Sequence, residues 1–491
     1  MKLNKVIAMK NKRRDFLKLT GMAGIGMAGF NLMNEHFSEP DFTYARGIEK
    51  EWQKIEKSHT QRFNMSGYAA KPIDKVRIGI IGMGQRGPAH MITLSHVEGV
   101  EIKALCDLRP EKVNAAKKLL AGTRHDPVIY TGNDEEWKKL CERDDIDLVF
   151  VTTPWYMHAS MAVYAMNHGK HVASEVTAAA TIEECWQLVE TAERTRQHCM
   201  MMENYAYGSF QLLTLNMARQ GFFGEIVHGD CAYNTSKMGN NFSKNMYWNM
   251  WWLRQYGSRR GNIYPAHGVG AICQLMNINR GDKLNFLVCV DSDEYMMGEK
   301  AKNLASADDF FKPFAEMNYR GNMSITTIRT DRGKTIMLQH DGTSPRGPHT
   351  TIDAITGTKA IAQEFPLPPR ISIGLDDWLK PEEYQKLVAK YTPEISKKVG
   401  DLAKQIGAGH GGTDLFEDWH LIDCLRNGLP LDQDVYDAAA WSSIIPLSEW
   451  SVRNNSNSIS FPDFTKGAWE TNQLNMDINL TKGGANTKVI V

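Results

Sequence analysis

The sequence has no excess of charge of either sign: 57 lysines and arginines balance 57 aspartates and glutamates over 491 residues. A balanced chain lacks the basic surface that a nucleic-acid partner requires, so no nucleic acid is expected. Cysteine is scarce. The eight are Cys106, Cys141, Cys185, Cys199, Cys231, Cys273, Cys289 and Cys424, and none stands in CxxC spacing. This excludes a disulfide framework, though one bridge stays open in an exported chain. Most of the cysteines sit in apolar runs, where the thiol packs as a small hydrophobe. No repeat of solenoid or propeller period is present. What remains is a globular protein of two or three domains acting on a small, roughly neutral ligand.

The N-terminus carries Lys12-Arg13-Arg14-Asp15-Phe16-Leu17-Lys18, then a short apolar run of small residues to Phe30. A basic segment before a short, glycine-bearing apolar stretch reads as a targeting signal, too short to span a bilayer. The paired arginines resemble a twin-arginine signal, which places the mature protein in the periplasm or outside the cell. A basic amphipathic helix is the alternative. No A-x-A site marks a cleavage point. Residues 1–34 are assigned to the signal and 35–74, polar and aperiodic, to a linker or arm. No membrane span is expected after the signal.

A βα alternation then begins. Short apolar strands at 76–81, 100–106, 146–151, 171–174 and 199–202 alternate with helical stretches at 88–97, 110–121, 157–167 and 181–194. Thr181 stands at the cap of the last helix, with Glu184 at the capping-box position. This spacing predicts a doubly wound parallel sheet over 75–204. The pattern changes after 205. Turn signals at 331–334 and 357–358 join consecutive strand pairs, as in hairpins. The expected class is α/β: an N-terminal Rossmann sheet plus a C-terminal α+β domain with a mainly antiparallel sheet over 205–460, and a tail over 461–491. Residues 366–412 read as a surface insertion.

Gly82-Met83-Gly84-Gln85-Arg86-Gly87 closes the first strand and opens a helix, the setting a GxGxxG motif needs to bind a dinucleotide. The first glycine permits the tight turn, the second the approach of a pyrophosphate, the third close helix packing. The helix N-terminus adds free N–H groups. Gln85 and Arg86 belong to the same loop. Asp107 ends the second strand, where a carboxylate binds the adenosine ribose and repels a 2′-phosphate, so NAD is the expected cofactor. Arg109 beside it keeps NADP open. Thr152-Thr153-Pro154-Trp155-Tyr156-Met157-His158 lies at the carboxyl end of the fourth strand, where open α/β sheets bind ligands. Trp155, Tyr156 and His158 are therefore cofactor-side candidates, with a helix-start role as the alternative for His158. His410 and His420 lie near Asp414, Glu417 and Asp418 without metal-ligand spacing. They read as loop and helix-cap residues, and no metal is expected.

Strand, GxGxxG, Asp, T-P-x-x-x-H and Glu175-Val176-Thr177 together resemble the Gfo/Idh/MocA oxidoreductase superfamily. Its dehydrogenases usually carry Glu-Lys-Pro here, with a catalytic lysine that this chain replaces by Val176. Glu184-Cys185-Trp186, Met202-Glu203-Asn204-Tyr205, Gly261 through Gly268 and Ile336 through Asp341 narrow the likeness to glycoside hydrolase family 109. That family consists of NAD-dependent glycosidases, best known as α-N-acetylgalactosaminidases.

The resemblance implies transient oxidation of the sugar at C3, loss of the C2 proton, elimination of the aglycone, water addition and re-reduction, with the cofactor carrying the redox step. It implies cofactor contacts from Glu175, Val176 and Asn204. It also implies substrate contacts from Tyr233, Tyr264 and His267, the last two acting as acid–base groups. A structural Tyr–His pair at a helix start is the alternative. The aromatic stretch 247–254 suits a sugar-site wall or a core. The family has Trp-Arg-Leu where this chain has Trp251-Trp252-Leu253, so Trp252 takes the arginine's place and Arg254 stands two positions on as a substitute. After Ser344-Pro345-Arg346 the family's Pro-Tyr becomes Pro348-His349, which puts His349 in the substrate set and leaves the sugar open. The expected partner is a glycoside; a homo-oligomer is admitted. A periplasmic NAD(P)-dependent sugar oxidoreductase and a silent sugar-binding protein remain the competing readings.

Overall fold

Six short strands of aliphatic residues form one parallel sheet: Val76–Ile81 (β1), Val100–Cys106 (β2), Val128–Tyr130 (β3), Leu148–Val151 (β4), His171–Glu175 (β5) and Cys199–Met202 (β6). Their order is β3-β2-β1-β4-β5-β6. The chain thus reverses its direction of winding between β1 and β4, and the crevice at that switch point is where such sheets bind ligands. Apart from β3 these strands are buried on almost every residue, because helices cover both faces. β3 has three residues, none of them buried, too weak a pattern to be read from the sequence. The computed structural model describes residues 47–345, 353–406 and 410–490. The expected export signal, residues 1–34, lies outside them.

The Thr181 cap is in place. Its hydroxyl accepts the Glu184 N–H at 3.1 Å, and the Glu184 carboxyl accepts the N–H of Ala180, one residue before the cap. All eight cysteines are buried free thiols. Among the described residues no helix is long and apolar enough to cross a membrane.

The second sheet has eight strands: Ile226–Asn234 (β7), Leu284–Asp291 (β8), Met323–Thr330 (β9), Thr335–Asp341 (β10), Asp353–Gly357 (β11), Ala360–Gln363 (β12), Arg370–Ile373 (β13) and Ile459–Ser460 (β14). Their order is β13-β12-β11-β7-β10-β9-β8-β14. The two expected hairpins are β9–β10 and β11–β12. Only β7–β10 is parallel. The helix Ala266–Leu275 packs on β7, and the helix Val435–Arg453, buried along most of its length, runs between the two sheets against β6 and β8.

Two expectations are corrected. Residues 366–412 do not form a plain surface insertion: β13 extends the sheet, and helices Pro381–Tyr391 and Glu394–Gln405 follow. Ile395, Val399 and Ala403 recur every fourth residue and are all buried, an apolar face masked by the surrounding lysines. The arm is not aperiodic either. It contains the helix Ile48–Ser58, whose Trp52 is buried and donates to Glu183 at 3.0 Å. Beyond it, His59 and the Arg62 N–H meet the buried Glu193 on the helix Ile182–Thr195 at 3.2 and 3.0 Å.

Candidate active site

The glycine loop leaves β1 through Gly82, whose φ of +99° is open to glycine at little cost. A Cβ on Gly87 would lie 1.9 Å from the Gly82 carbonyl oxygen, whereas one on Gly84 would meet nothing within 4 Å. The loop is therefore closed on the protein side and clear above Gly84, as a pyrophosphate seat requires. At the end of β2, Asp107 accepts the Met83 N–H at 2.7 Å and the Arg109 N–H at 2.9 Å. The Arg109 guanidinium pairs with the same carboxylate at 3.1 Å. These residues fit an unphosphorylated adenosine ribose.

Behind the loop lies a buried ionic network. Arg86 donates to both oxygens of Asp414 at 3.0 and 3.2 Å and to Glu175 at 2.5 Å. His90 bridges Glu175 and Asp418, each at 2.9 Å. Asn204 Nδ2 donates to Asp414 at 2.6 Å, and His410 lies 3.1 Å from the same carboxylate. Burial disfavours these charges; the mutual attraction outweighs it at Arg86, His90, Glu175 and Asp414, whereas at Asp418 burial prevails and raises the carboxyl above its ordinary value. Arg86 and His90 hold Glu175 well below the usual carboxylate range, and His410 and Arg86 do the same for Asp414. Against its own burial, His90 is raised to about 10 by Asp418 and Glu175. The network ties the helix after the glycine loop, the end of β5 and the helix Thr413–Asn427 into one wall.

Opposite this wall, Pro265 precedes the helix Ala266–Leu275 and puts His267 in its first turn. His267 Nδ1 lies 2.9 Å from both oxygens of Glu203, a residue with no exposed surface. Nδ1–H donates to that carboxylate, which leaves the Nε2 lone pair for the Tyr264 hydroxyl at 3.0 Å. Burial raises Tyr264 well above the ordinary phenol range, so it stays protonated at neutral pH. Tyr233, at the inner end of β7, stands 5.0 Å from both rings, and Tyr205 stands 4.4 Å from His267. Trp155 stacks on Tyr264 at 5.4 Å and 16°, with Trp252 tilted against both. The arrangement is a carboxylate–imidazole–phenol relay ending in an aromatic cleft, suited to moving one proton beside a sugar ring.

The expected residues divide into three groups. Gly82, Gly84, Gly87, Asp107, Arg86, Glu175, Val176 and Asn204 gather at the crevice, where the Val176 carbonyl accepts the Trp155 indole N–H at 3.0 Å. Tyr233, Trp252, Tyr264 and His267 gather at the relay. His158, Arg254 and Tyr156 do not join either group. His158 is fully buried between the carbonyls of Thr177 and Thr153, at 2.7 and 2.6 Å, so it ties two loops together and offers the cofactor no nitrogen. Arg254 does not replace the family's arginine: it donates to the Asn249 carbonyl and lies over Phe314, because two helical positions turn it by about 200° from the face that carries Trp252. Tyr156 is 52 % exposed at its helix start. His349 lies outside the described residues. Gln85, in the loop, turns its side-chain amide to the Met246 sulfur.

His410 and Asp414 need the reverse correction. They are part of the Arg86 network, not mere loop and cap residues. Glu203 was legible only as a letter in a family string, Asp418 only as a neighbour of His410 and His420, and His90 carried no sequence signal.

Residues 76–204 match the profile of the oxidoreductase family, NAD-binding Rossmann fold, and residues 207–471 that of glycosyl hydrolase 109, C-terminal domain. A glycosyl hydrolase family 109 protein of a Shewanella species, strain ANA-3, is 44% identical over 82% of this chain and 88% of its own length. A Shewanella oneidensis protein named alpha-N-acetylgalactosaminidase is 40% identical over 93% of this chain and 97% of its own. Among solved structures, levoglucosan dehydrogenase in complex with NADH superposes with a TM-score of 0.60 at 16% identity, over 79% of this chain and all of that one, which is a likeness of fold.

Proposed function

The chain belongs to glycosyl hydrolase family 109, and from that membership we propose that it is an NAD-dependent glycosidase whose proton-handling groups are His267 and Tyr264. The observation that carries this reading is the Glu203–His267–Tyr264 relay facing an aromatic cleft beside the glycine-loop crevice. Bound NAD would take up a hydride from the sugar and return it within one turnover. The residues do the rest. Tyr264 Oη takes the proton of the sugar hydroxyl being oxidised and passes its own to His267 Nε2. Glu203 fixes the tautomer that leaves Nε2 free and stabilises the imidazolium that forms. Between the two hydride transfers the C2 proton, acidified by the C3 ketone, is lost, the aglycone leaves by elimination and takes up a proton, and water adds in its place; the Tyr264–His267 path then runs backwards on re-reduction. Trp155, Tyr233 and Trp252 shape the cleft and exclude water.

Val176 stands where dehydrogenases of the superfamily carry lysine, which favours transient over net oxidation. α-Linked N-acetylgalactosamine is the first sugar to test, given the name of the S. oneidensis relative. The Trp252 and His349 departures make its replacement by another sugar part of the proposal. Export by the twin-arginine pathway, read from residues 12–30, accords with a cofactor carried out in an already folded protein.

A panel of α- and β-aryl glycosides with added NAD tests the reading. Aglycone release without accumulation of NADH is expected. NADH formed in step with substrate consumed would overturn it in favour of a sugar oxidoreductase.

A further inference from the structure

The residues just before the aromatic wall do not stay with the second sheet but cross to the Rossmann domain. Side chains alternate along the segment. The Met246 thioether meets the side-chain amide of Gln85 in the glycine loop. Tyr247 turns the other way and stacks on Trp252 at 5.3 Å and 24°. Trp248 turns back, its ring 5.1 Å from the Arg109 guanidinium that pairs with Asp107. Lys244 anchors one end of the segment on Asp308, and the buried Met250 anchors the other. Asn249 and Met250 are consecutive non-glycine residues at φ 50° and 52°. Such backbone is costly and collects at ligand clamps, where surrounding contacts over-determine it. Here it lets the chain reverse from the crossing into the helix Trp251–Ser258, which carries Trp252 to the cleft. Met246 and Trp248 nonetheless keep 36% and 42% of their surface exposed, open to a ligand lying in the crevice.

We propose that Met246 and Trp248 are dinucleotide-binding residues: the segment 244–250 is a strap that closes the outer side of the NAD crevice and keeps the cofactor in place through turnover. It meets the crevice at the two positions that seat a dinucleotide, the pyrophosphate loop and the ribose carboxylate. The inference rests on the NAD-dependent reading and deepens it. A hydride returned to the sugar it came from requires that the cofactor not leave between the two transfers. Ordinary dehydrogenases exchange their cofactor each cycle and need no such closure.

The test is the release of NAD from the full chain without any glycoside present. Each protein is loaded with NAD and desalted, and dissociation is followed by trapping free NAD with a second dehydrogenase. Trp248→Ala is expected to release NAD at least ten-fold faster than the wild type. Met246→Ala should be faster by a smaller factor, and Trp248→Phe should stay within about three-fold of the wild type because an aromatic face remains. Wild-type release rates in both alanine variants would overturn the strap while leaving the glycosidase reading intact. A wild-type protein that retains no NAD would also overturn the strap, while aglycone release with NAD supplied still decides the glycosidase reading.

Discussion

Glu203 holds Nδ1 of His267 between its two carboxylate oxygens, each at 2.9 Å, while Tyr264 occupies the other nitrogen at 3.0 Å. The three side chains come from different places. Glu203 follows β6 of the Rossmann sheet, and Tyr264 and His267 flank the helix start that packs on the second sheet. The relay therefore exists only when the two sheets are docked, and its orientation is set by the domain interface and not by a flexible loop. The Arg86–Glu175–Asp414 network is assembled in the same way from the Rossmann loop and the helix Thr413–Asn427.

Glu203→Gln replaces a charge with a neutral amide of the same shape. The amide no longer stabilises a protonated His267 and can present an N–H that forces the wrong tautomer. We expect kcat on an aryl glycoside to fall about 100-fold, within the range of a lost acid–base contribution. The acidic limb of the kcat/KM profile should also move to lower pH. A purely structural role for Glu203 would change the amount of folded protein and leave that limb in place.

His90 makes a pH-dependent contribution to stability. Its folded-state value, raised to about 10, lies above the ordinary 6.5. The bridge between Glu175 and Asp418 therefore stabilises fully below about pH 6.5 and is lost as pH rises through about 10. Melting temperatures of wild type and His90→Gln should differ most near pH 6 and converge by about pH 10.5. A gap that stays constant over this range would show that His90 is not held as the charged form.

Asp107 decides between the two nicotinamide dinucleotides, and Arg109 is its tethered partner. Asp107→Asn removes the charge that repels a 2′-phosphate and releases Arg109 to meet one. NADP binding should appear in the variant, and NAD affinity should fall by about ten-fold with the weakened ribose contact. Equilibrium titration by nucleotide-dependent quenching of tryptophan fluorescence measures both. Continued exclusion of NADP would mean that the strap, not the carboxylate, sets the preference.

Where the sequence speaks clearly, a local pattern carries the information. The parallel sheet was legible because its strands are apolar runs bounded by glycine and proline. The β9–β10 hairpin was legible because Asp331-Arg332-Gly333-Lys334 is a turn by composition. Tyr264 and His267 were legible because they fall in a family string three residues apart. Glu203 lies 64 residues from its partner and His90 lies 328 from Asp418, so no local period could join them. Arg254 failed for the complementary reason: proximity in sequence suggested a role that helix geometry denies. The helix Glu394–Gln405 was hidden because only Ile395, Val399, Leu402 and Ala403 are apolar, among polar and charged positions that include three lysines.

The glycine loop offers a separation of folding from cofactor binding within four residues. Gly87→Ala would drive its Cβ to 1.9 Å from the Gly82 carbonyl oxygen, backbone that cannot move without shifting the end of β1. A loss of about 3 kcal/mol of stability or failure to fold is expected, as for other overpacked sites. Gly84→Ala adds a methyl group where nothing lies within 4 Å. Its melting temperature without cofactor should stay within about 1 °C of the wild type, while the methyl group occupies the space a pyrophosphate must enter, so the Kd for NAD should rise at least ten-fold. Differential scanning fluorimetry with and without NAD separates the two effects: Gly84→Ala should match the wild type without NAD and lose its NAD-induced shift. A Gly84→Ala protein that keeps the full shift would remove the pyrophosphate from this loop and with it the assignment of the crevice.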